Sequence, residues 1–380
     1  MSIAERNAAQ GFNDSIDREA DDFVIVSLVV ADPGEVLYSV LGHACLHLQC
    51  PTFGLDYVYT SESEGVQGKV FRFLTNDLKM GLGQFSMNEY LQPYVKERRG
   101  VREYRLHLPP EVKTELWRVC DEYMAKGMNM EYDPVKRGCT VSVVHIVEEA
   151  IQSANAMNGS DYRIAYPEWG KPFDRTLREI FYDNAPHDWG LFWCMTIVGG
   201  VVDRPDMPKE EKLICPQNLV DIWKQSTIDG RPIISEQPIV LNEGEPLTKS
   251  LFSPLVAALF VLLLSIASWF IKYPYIDWLL LGLQTFFGCL ILWVMLMPLP
   301  ATGWSWLIIP FNPIAAIAWR WRDKWALPYA AVIALWCIGM LCAPHRFVEY
   351  AHIILALSFG IVLLKQKYVK RSFWERKKEI

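Results

Sequence analysis

The chain has 380 residues, of which 51% are hydrophobic, and it carries 37 Lys and Arg against 43 Asp and Glu. The charge is divided unevenly, because twelve basic and five acidic residues lie from Ser253 onward, and 25 and 38 lie before it. Nucleic-acid binding needs clustered positive charge, so the acidic N-terminal part excludes nucleic acid as the expected partner. The apolar, basic C-terminal part predicts a lipid bilayer as the partner.

Residues 1–22 are predicted to be a polar tail. This segment has no apolar stretch of the kind that forms the core of a signal peptide. Two interpretations stay open: either a signal was removed from the sequence, or the domain that follows is cytoplasmic.

Residues 23–235 are predicted to form one soluble α+β domain. The apolar run Phe23 to Ala31 is typical of a buried strand, and it ends at the turn residues Asp32-Pro33-Gly34. His43 to Leu48 and Asp56 to Thr60 are predicted to pair as a hairpin. The other predicted elements are a helical turn at 35–41, a strand or short helix at 71–78, helices at 88–98 and 110–126, a strand at 101–108, and a buried helix that begins near Cys139.

Residues 236–252 are predicted to be a linker, and residues 253–366 a transmembrane domain that ends in a basic cytoplasmic tail, 367–380. Four apolar runs have the length that crosses a bilayer core about 30 Å thick. They are Ser253 to Ile271, Ile276 to Met297, Trp325 to Ala343 and Val348 to Leu364. A fifth, Trp304 to Trp319, contains Pro310 and Pro313 and is either a span or a re-entrant segment.

Charge placement favours five spans. With the N-terminal domain outside, five crossings put Lys272, the cluster around Arg322 and the C-terminal tail on the cytoplasmic side, as the positive-inside rule requires. The sequence therefore predicts a multi-pass membrane protein, with its soluble domain outside the cytoplasm and its C-terminus inside.

Cys139 is the candidate nucleophile. It follows the basic turn Lys136-Arg137-Gly138 at the start of a predicted helix, where nearby cations and the helix dipole favour a thiolate. A small core cysteine is the other interpretation, since most lone cysteines are packing residues. The nine cysteines show no zinc-binding spacing, and neither a metal nor a cofactor is expected.

His43 is the candidate base for this thiol, although it is also compatible with a core histidine. A polar group has to orient the imidazole, and Asp56 on the next predicted strand is chosen, with Thr60 behind it. His47 shares a strand face with His43 and either assists the site or points into solvent.

The sequence resembles the Lnb-type proteins of Bacteroidetes, which have an N-terminal periplasmic domain. The resemblance runs through Pro33-Gly34-Glu35, Gly42-His43, Asp56 to Tyr59, and Tyr132-Asp133 ahead of Cys139. It continues in Arg178, Gly199-Gly200, Asp203, Pro216, Leu219 and Asn312-Pro313. The sequence departs from the family pattern at Gly138, where asparagine is usual, at His47, where arginine is usual, and near Glu62, where a glycine is missing.

The resemblance implies a circularly permuted papain-like fold of the NlpC type, with the histidine strand before the cysteine helix. With the predicted topology, it implies a multi-pass protein of the bacterial inner membrane, with the soluble domain in the periplasm. It also implies acyl transfer through a thioester on Cys139, with a membrane lipid or lipoprotein as acyl donor and a lipoprotein amine as acceptor. Two alternatives are a thiol peptidase or amidase that acts on peptidoglycan, and an inactive envelope-binding module, which the departure at Gly138 favours.

Overall fold

The computed structural model describes residues 20, 22–63, 72, 75–167, 174–208, 211–235, 237–247, 251–271 and 275–368. The predicted polar and basic tails lie almost wholly outside these residues. Of the strand or short helix predicted at 71–78, residues 71, 73 and 74 also lie outside them, and residues 75–78 form a turn and irregular chain ahead of the strand that begins at Lys79.

A seven-stranded antiparallel sheet organises the N-terminal half. Its strands run in the order β10-β5-β1-β2-β3-β4-β6. They are β1 Ile25–Ala31, β2 His43–Cys50, β3 Leu55–Ser63, β4 Lys79–Phe85, β5 Val101–Arg105, β6 Met130–Glu131 and β10 Ile239–Asn242. A smaller sheet has the order β7-β8-β9, with β7 Ile164–Ala165, β8 Thr227–Ile228 and β9 Arg231–Pro232.

Among the described residues before 248, six α-helices accompany the sheets. They are α1 Met87–Lys96, α2 Pro110–Lys126, α3 Cys139–Asn158, α4 Leu177–Asn184, α5 Trp189–Ile197 and α6 Pro216–Gln225. The sequence predicts α2 with its observed bounds, and α3 begins at Cys139 as expected. The mixture of helices and an antiparallel sheet confirms the α+β class.

The period-two alternation of the strands separates two cores. Leu28, Leu46 and Tyr59 point to one face of the large sheet, where they pack with apolar residues of α2, α3 and α6. Val29 and Val58 point to the other face and pack against α1. Each central strand is therefore apolar on both sides, which explains why β1 reads as a continuous buried run in the sequence.

The predicted linker is partly a strand. Residues of β10, inside the segment expected to connect the domain to the membrane, pair with β5 at the edge of the large sheet, and the backbone N–H of Glu245 donates to the carbonyl of Arg98 at 2.8 Å. The proline and glycine content of this region predicted an irregular chain. A short edge strand tolerates such residues at its ends, because one side of its backbone needs no ladder partner.

The C-terminal part is a group of apolar helices: α7 Pro254–Ser268, α8 Tyr275–Met295, α9 Ile314–Ile317, α10 Arg322–Cys342 and α11 Tyr350–Tyr368. Within residues 251–271 and 275–368, two of them, α8 and α10, are long and apolar enough to cross a membrane by length and composition. The apolar helix α7 and the apolar part of α11, Tyr350–Gln366, are shorter.

The prediction of five spans is therefore wrong in number. The segment Trp304 to Trp319 forms short 3-10 turns and the four-residue helix α9, not one continuous helix. Pro310 and Pro313 explain this, because a proline inside a helix removes a backbone donor and clashes with the preceding turn.

Gly288 allows α8 to pack closely on this irregular segment. A Cβ atom added there would lie 1.9 Å from the carbonyl oxygen of Phe311, so Gly288→Ala has to push two backbones apart. We expect a loss of about 1–3 kcal/mol in unfolding free energy, as for other overpacked cores. Gly282 is the matched control on the same helix, since nothing lies within 4 Å of its added Cβ.

Thermal unfolding in detergent measures the difference. Gly288→Ala should lower the midpoint, and Gly282→Ala should leave it unchanged or raise it slightly, because alanine favours helix. Equal midpoints for the two variants would contradict this packing.

Candidate active site

His43 is the first residue of β2, and the turn before it fixes its position. Gly42 has a φ of +88°, and a Cβ there would lie 2.5 Å from the carbonyl oxygen of Ala31. Only glycine adopts this backbone conformation without strain. The turn at Gly42 thus delivers His43 to the start of the strand, opposite Ala31 of β1.

A gap opens between β2 and β3 beside His43. The two strands pair from Cys50 opposite Leu55 to Leu46 opposite Tyr59. Beyond that point β2 still extends back to His43 and β3 continues to Ser63, but the two strands no longer pair with each other. Across this gap the Nε2 atom of His43 lies 2.6 Å from the Oγ1 atom of Thr60. In the protonated ring Nε2 donates and the buried hydroxyl oxygen of Thr60 accepts.

Cys139 enters the same gap as the first residue of α3. The N-cap, Gly138, provides no side chain to cap the helix. By contrast, Ser86 and Thr176 cap α1 and α4 with complete capping boxes. The next residue, Thr140, donates its hydroxyl to the carbonyl of Ile214 at 3.1 Å, which fixes the first turn of α3.

His43 and the backbone N–H of Ala44 lie near enough to the thiol of Cys139 to lower its pKa. Because Thr60 engages Nε2, we assign Nδ1 of His43 as the nitrogen that faces the sulfur. Cys139 is half-buried, whereas the other five cysteines of the soluble half are buried.

The electrostatics of the pair favour ionisation of the thiol. Burial alone would raise the pKa of Cys139, but the nearby charge of His43 and its polar contact with the thiol, with smaller contributions from Ala44 and Thr140, lower it to about 7 from 9.0. Burial alone would lower the pKa of His43, but Cys139 and then Glu62 raise it. A thiolate beside an imidazolium is the activated form of a cysteine nucleophile.

Asp56 is not the group that orients His43. The hairpin register pairs Asp56 with Gln49, six residues from His43 and about 20 Å away along the strand. Its Oδ1 atom instead lies 2.6 Å from the Nε2 atom of His47. Thr60, and not the predicted Asp56, is the polar residue that contacts the ring of His43.

His47 is buried and does not point into solvent. Its Nδ1 atom lies 2.7 Å from Oε1 of Glu103 on β5, so both ring nitrogens meet carboxylates. Burial alone would lower the pKa of His47, but the hydrogen bonds to Glu103 and Asp56 raise it. This ion cluster ties β2, β3 and β5 together on the face that carries His43.

Two further residues are coupled electrostatically to the site, and the sequence alone gave them no role. Glu62 follows Thr60 on the same face of β3 and raises the pKa of His43. Burial raises the pKa of the Tyr132 phenol to about 12, with a contribution from the nearby Cys139. Because side chains alternate along β3, the sequence predicts that Thr60 and Glu62 share one face. It does not show that this face meets His43, because that depends on the register of the hairpin.

The ionisation of Cys139 can be followed by alkylation with iodoacetamide, resolved by peptide mass spectrometry. We expect the rate at Cys139 to rise with pH with a midpoint near 7, because the thiolate is the reactive form. In His43→Gln the midpoint should rise toward or above 9, since burial then acts without the charge of His43, the largest contribution that opposes it.

The exposed residue Cys342, at the end of α10, serves as the internal control for reagent and labelling. A wild-type midpoint at 9 or higher, or one that His43→Gln leaves in place, would rule out the activated pair.

Thr60 is predicted to act as a positioning residue through His43. Thr60→Val keeps the shape but removes the hydroxyl, and it should slow alkylation of Cys139 at pH 7 by about fivefold, the worth of one hydrogen bond. Thr60→Ser should restore the rate. If Thr60→Val alkylates at the wild-type rate, or Thr60→Ser fails to rescue, the hydroxyl does not position the ring.

Comparison with known proteins places the site within a family. Residues 15–176 match the Lnb N-terminal periplasmic domain, and this range includes His43, Thr60 and Cys139. No curated protein matches the chain, and no solved structure matches it. The chain therefore carries an Lnb N-terminal periplasmic domain, which supports its assignment to the envelope-associated Lnb-type proteins, and its apolar helices suit a membrane protein.

Proposed function

We propose that the protein is a membrane-anchored cysteine acyltransferase that forms a thioester on Cys139 and N-acylates bacterial lipoproteins. The pairing of an ionisable thiol with His43 in a half-buried gap carries the proposal. The acyl chemistry is what the resemblance to Lnb-type proteins implies, and the residues in the gap are those that it requires.

In the first step the thiolate of Cys139 attacks the carbonyl carbon of an acyl ester. The C–S bond forms, the ester C–O bond breaks, and the protonated ring of His43 gives its proton to the departing alcohol. In the second step an amine attacks the thioester. The C–N bond forms, the C–S bond breaks, and the proton lost by the amine passes to His43, so the thiolate–imidazolium pair is regenerated.

The first turn of α3 supplies donors for the oxyanion. The backbone N–H groups at the start of a helix have no partner within the helix, and Gly138 provides no capping side chain. One such donor contributes roughly 3 kcal/mol to the transition state in comparable sites. Gly138 stands where the Lnb-type pattern has asparagine. This difference leaves the thiol of Cys139 and the start of α3 in place.

The site lies beside the apolar helices. One hydrophobic cluster contains Val135, four residues before Cys139, and Ala301 of the C-terminal part, with Leu41, two residues before His43, packed against it. The helix α5 also bridges the two parts, because the ring of Phe192 stacks on His352 of α11 at 4.3 Å. A lipid acyl ester held at these helices is therefore close to the thiol.

Other residues that resemble the Lnb-type pattern lie outside the gap, at the contact between the soluble part and the C-terminal part, and they stabilise that contact. Arg178 on α4 pairs with Asp203 at 2.5 Å and donates to the carbonyls of Met195 and Val198. The backbone N–H groups of Gly199 and Gly200 donate to carbonyls of the segment 301–304. These contacts hold the soluble part and the apolar helices at a fixed spacing.

We further propose that the soluble domain has the permuted papain-like arrangement and lies in the periplasm, on a multi-pass inner-membrane anchor. In support, the histidine strand precedes the cysteine helix in sequence, and the helix begins against that strand. Many apolar side chains on α7, α8 and α10 are exposed, as lipid-facing residues are, among them Phe260, Phe286 and Leu335.

Intact mass spectrometry tests the thioester directly. After incubation of the full-length protein with bacterial phospholipid or diacylated lipopeptide, we expect the mass of one acyl chain on the wild type. The adduct should be absent in Cys139→Ala and strongly reduced in His43→Gln, while Cys289→Ala, which removes an exposed cysteine, should acylate normally.

Added lipopeptide amine should then discharge the adduct and gain the acyl chain. An adduct that persists in Cys139→Ala would refute the assignment. Cleavage of cell-wall peptides without an acyl adduct would indicate the thiol amidase. An unreactive Cys139 with neither product would indicate the binding module.

A further inference from the structure

Glu62 carries a carboxylate at the edge of the gap, two residues beyond Thr60 on β3. Side chains two positions apart on a strand share a face and lie about 7 Å apart. Since Thr60 contacts His43 at 2.6 Å, Glu62 is the next side chain along the same face. The charges of Glu62 and His43 act on each other's pKa. Glu62 therefore borders the thiol–imidazole pair without being part of it.

The carboxylate of Glu62 is unpaired among the residues that the structure describes, where it has neither a hydrogen bond nor an ion pair. By contrast, Asp56 and Glu103 on the same face of the sheet both bind His47. Glu62 is half-buried, and burial raises the pKa of its carboxyl, which the charge of His43 opposes. A partly desolvated carboxylate without a partner is stabilised by a cation that donates hydrogen bonds.

An aromatic ring stands beside this carboxylate. The register of β3 and β4 places Gly83 opposite Thr60 and Phe85 opposite Val58. A Cβ atom added at Gly83 would lie 2.8 Å from Cε2 of Phe85 and 2.9 Å from Cγ of Glu62. The two side chains thus meet in the space that the glycine leaves, and Phe85 is 37% exposed. A carboxylate next to an aromatic ring is a combination that binds an ammonium group.

We propose that Glu62 and Phe85 bind the ammonium group of the acceptor, so that Glu62 is the residue that selects an amine over water or an alcohol. The inference rests on the proposed function for the reaction, and it gives a role in it to residues outside the thiol–imidazole pair. The sequence departs from the Lnb-type pattern near Glu62. The site is therefore a feature of this chain and is not supplied by the resemblance.

An ammonium acceptor loses two protons on its way to an amide, and the site holds a proton acceptor for each. The carboxylate of Glu62 takes the first, which leaves a neutral amine with a free electron pair. The nitrogen attacks the thioester carbon, the C–N bond forms, the C–S bond to Cys139 breaks, and neutral His43 takes the second proton. Glu62 then returns its proton to water.

Ammonium binding is measured first, without any reaction. The probe is a cysteinyl peptide whose sulfur carries an alkyl chain in thioether linkage, so it has a free α-ammonium but no acyl ester. Full-length wild type in neutral detergent should bind it about tenfold more tightly than Glu62→Gln does, the loss expected for a charge-assisted hydrogen bond. The N-acetylated probe has no ammonium and should bind both proteins alike.

Two further variants separate the site from general charge effects. Glu122→Gln makes the same change on an exposed side chain of α2, across the sheet, and should bind the free-amine probe as wild type does. Phe85→Leu keeps an apolar side chain but removes the ring, and should weaken binding about threefold. Binding that is unchanged in both Glu62→Gln and Phe85→Leu would overturn the ammonium site.

Discharge of the acyl-enzyme shows whether Glu62 acts on the acceptor or on His43. The adduct on Cys139 is formed first, and its loss is followed by intact mass spectrometry at pH 7. With the peptide amine, Glu62→Gln should discharge about tenfold more slowly than wild type. With hydroxylamine, which is largely uncharged at this pH, the two proteins should discharge at equal rates. Equal slowing with both nucleophiles would mean that Glu62 only positions His43, and the ammonium site would be wrong.

The outcomes separate this inference from the proposed function. Probe binding that depends on Glu62, in a protein that never forms an acyl adduct, would support the ammonium site and remove the acyltransferase. An adduct that wild type and Glu62→Gln pass to the amine equally fast would leave the acyltransferase in place and overturn the role of Glu62.

Discussion

The arrangement of the site depends on the separation of β2 from β3 past Leu46 and Tyr59. A strand that leaves its neighbour exposes backbone groups that need partners. Here the N–H of Ala44 acts on the pKa of the Cys139 thiol, and the side chains of His43 and Thr60 meet across the opening. The proposed nucleophile, its proposed base and the residue that positions the base therefore share one structural cause.

Two sets of contacts keep this gap in place. On the sheet, His47 binds carboxylates from β3 and β5 and fixes the register of the strands just below His43. At the other end, the cluster around Val135 and Ala301 joins the approach to Cys139 with the apolar helices. The contacts of His47 hold the strands that carry the proposed site. The cluster around Val135 and Ala301 holds the site against the C-terminal part.

Much of the fold follows from local sequence patterns. The apolar run before Asp32-Pro33-Gly34, the hairpin through Pro51 and Gly54, and the helix that starts at Cys139 are all determined by neighbours in sequence, and they agree with the structure. Cys139 and His43 were found because their residue types and positions on a helix start and a strand indicate reactivity without knowledge of contacts.

The predictions that failed needed information that lies between distant residues. Asp56 was chosen for its carboxylate, but the register of the hairpin decides which side chain reaches His43, and that register depends on turn geometry. Strand β10 was missed because its partner β5 lies far away in sequence. The prediction of a fifth span failed because length and hydropathy do not show that Pro310 and Pro313 interrupt the helix.

The most direct test of the ionised pair is a titration of His43 by NMR with ¹⁵N-labelled histidine, in the wild type and in Cys139→Ala. His43 is one of seven histidines, and its signal is assigned by its absence in His43→Gln. The pKa of His43 should lie above 6.5 in the wild type and fall in Cys139→Ala, because burial then acts without the thiolate. The same pKa in both proteins would show that Cys139 and His43 do not share charge, and would contradict this account of the site.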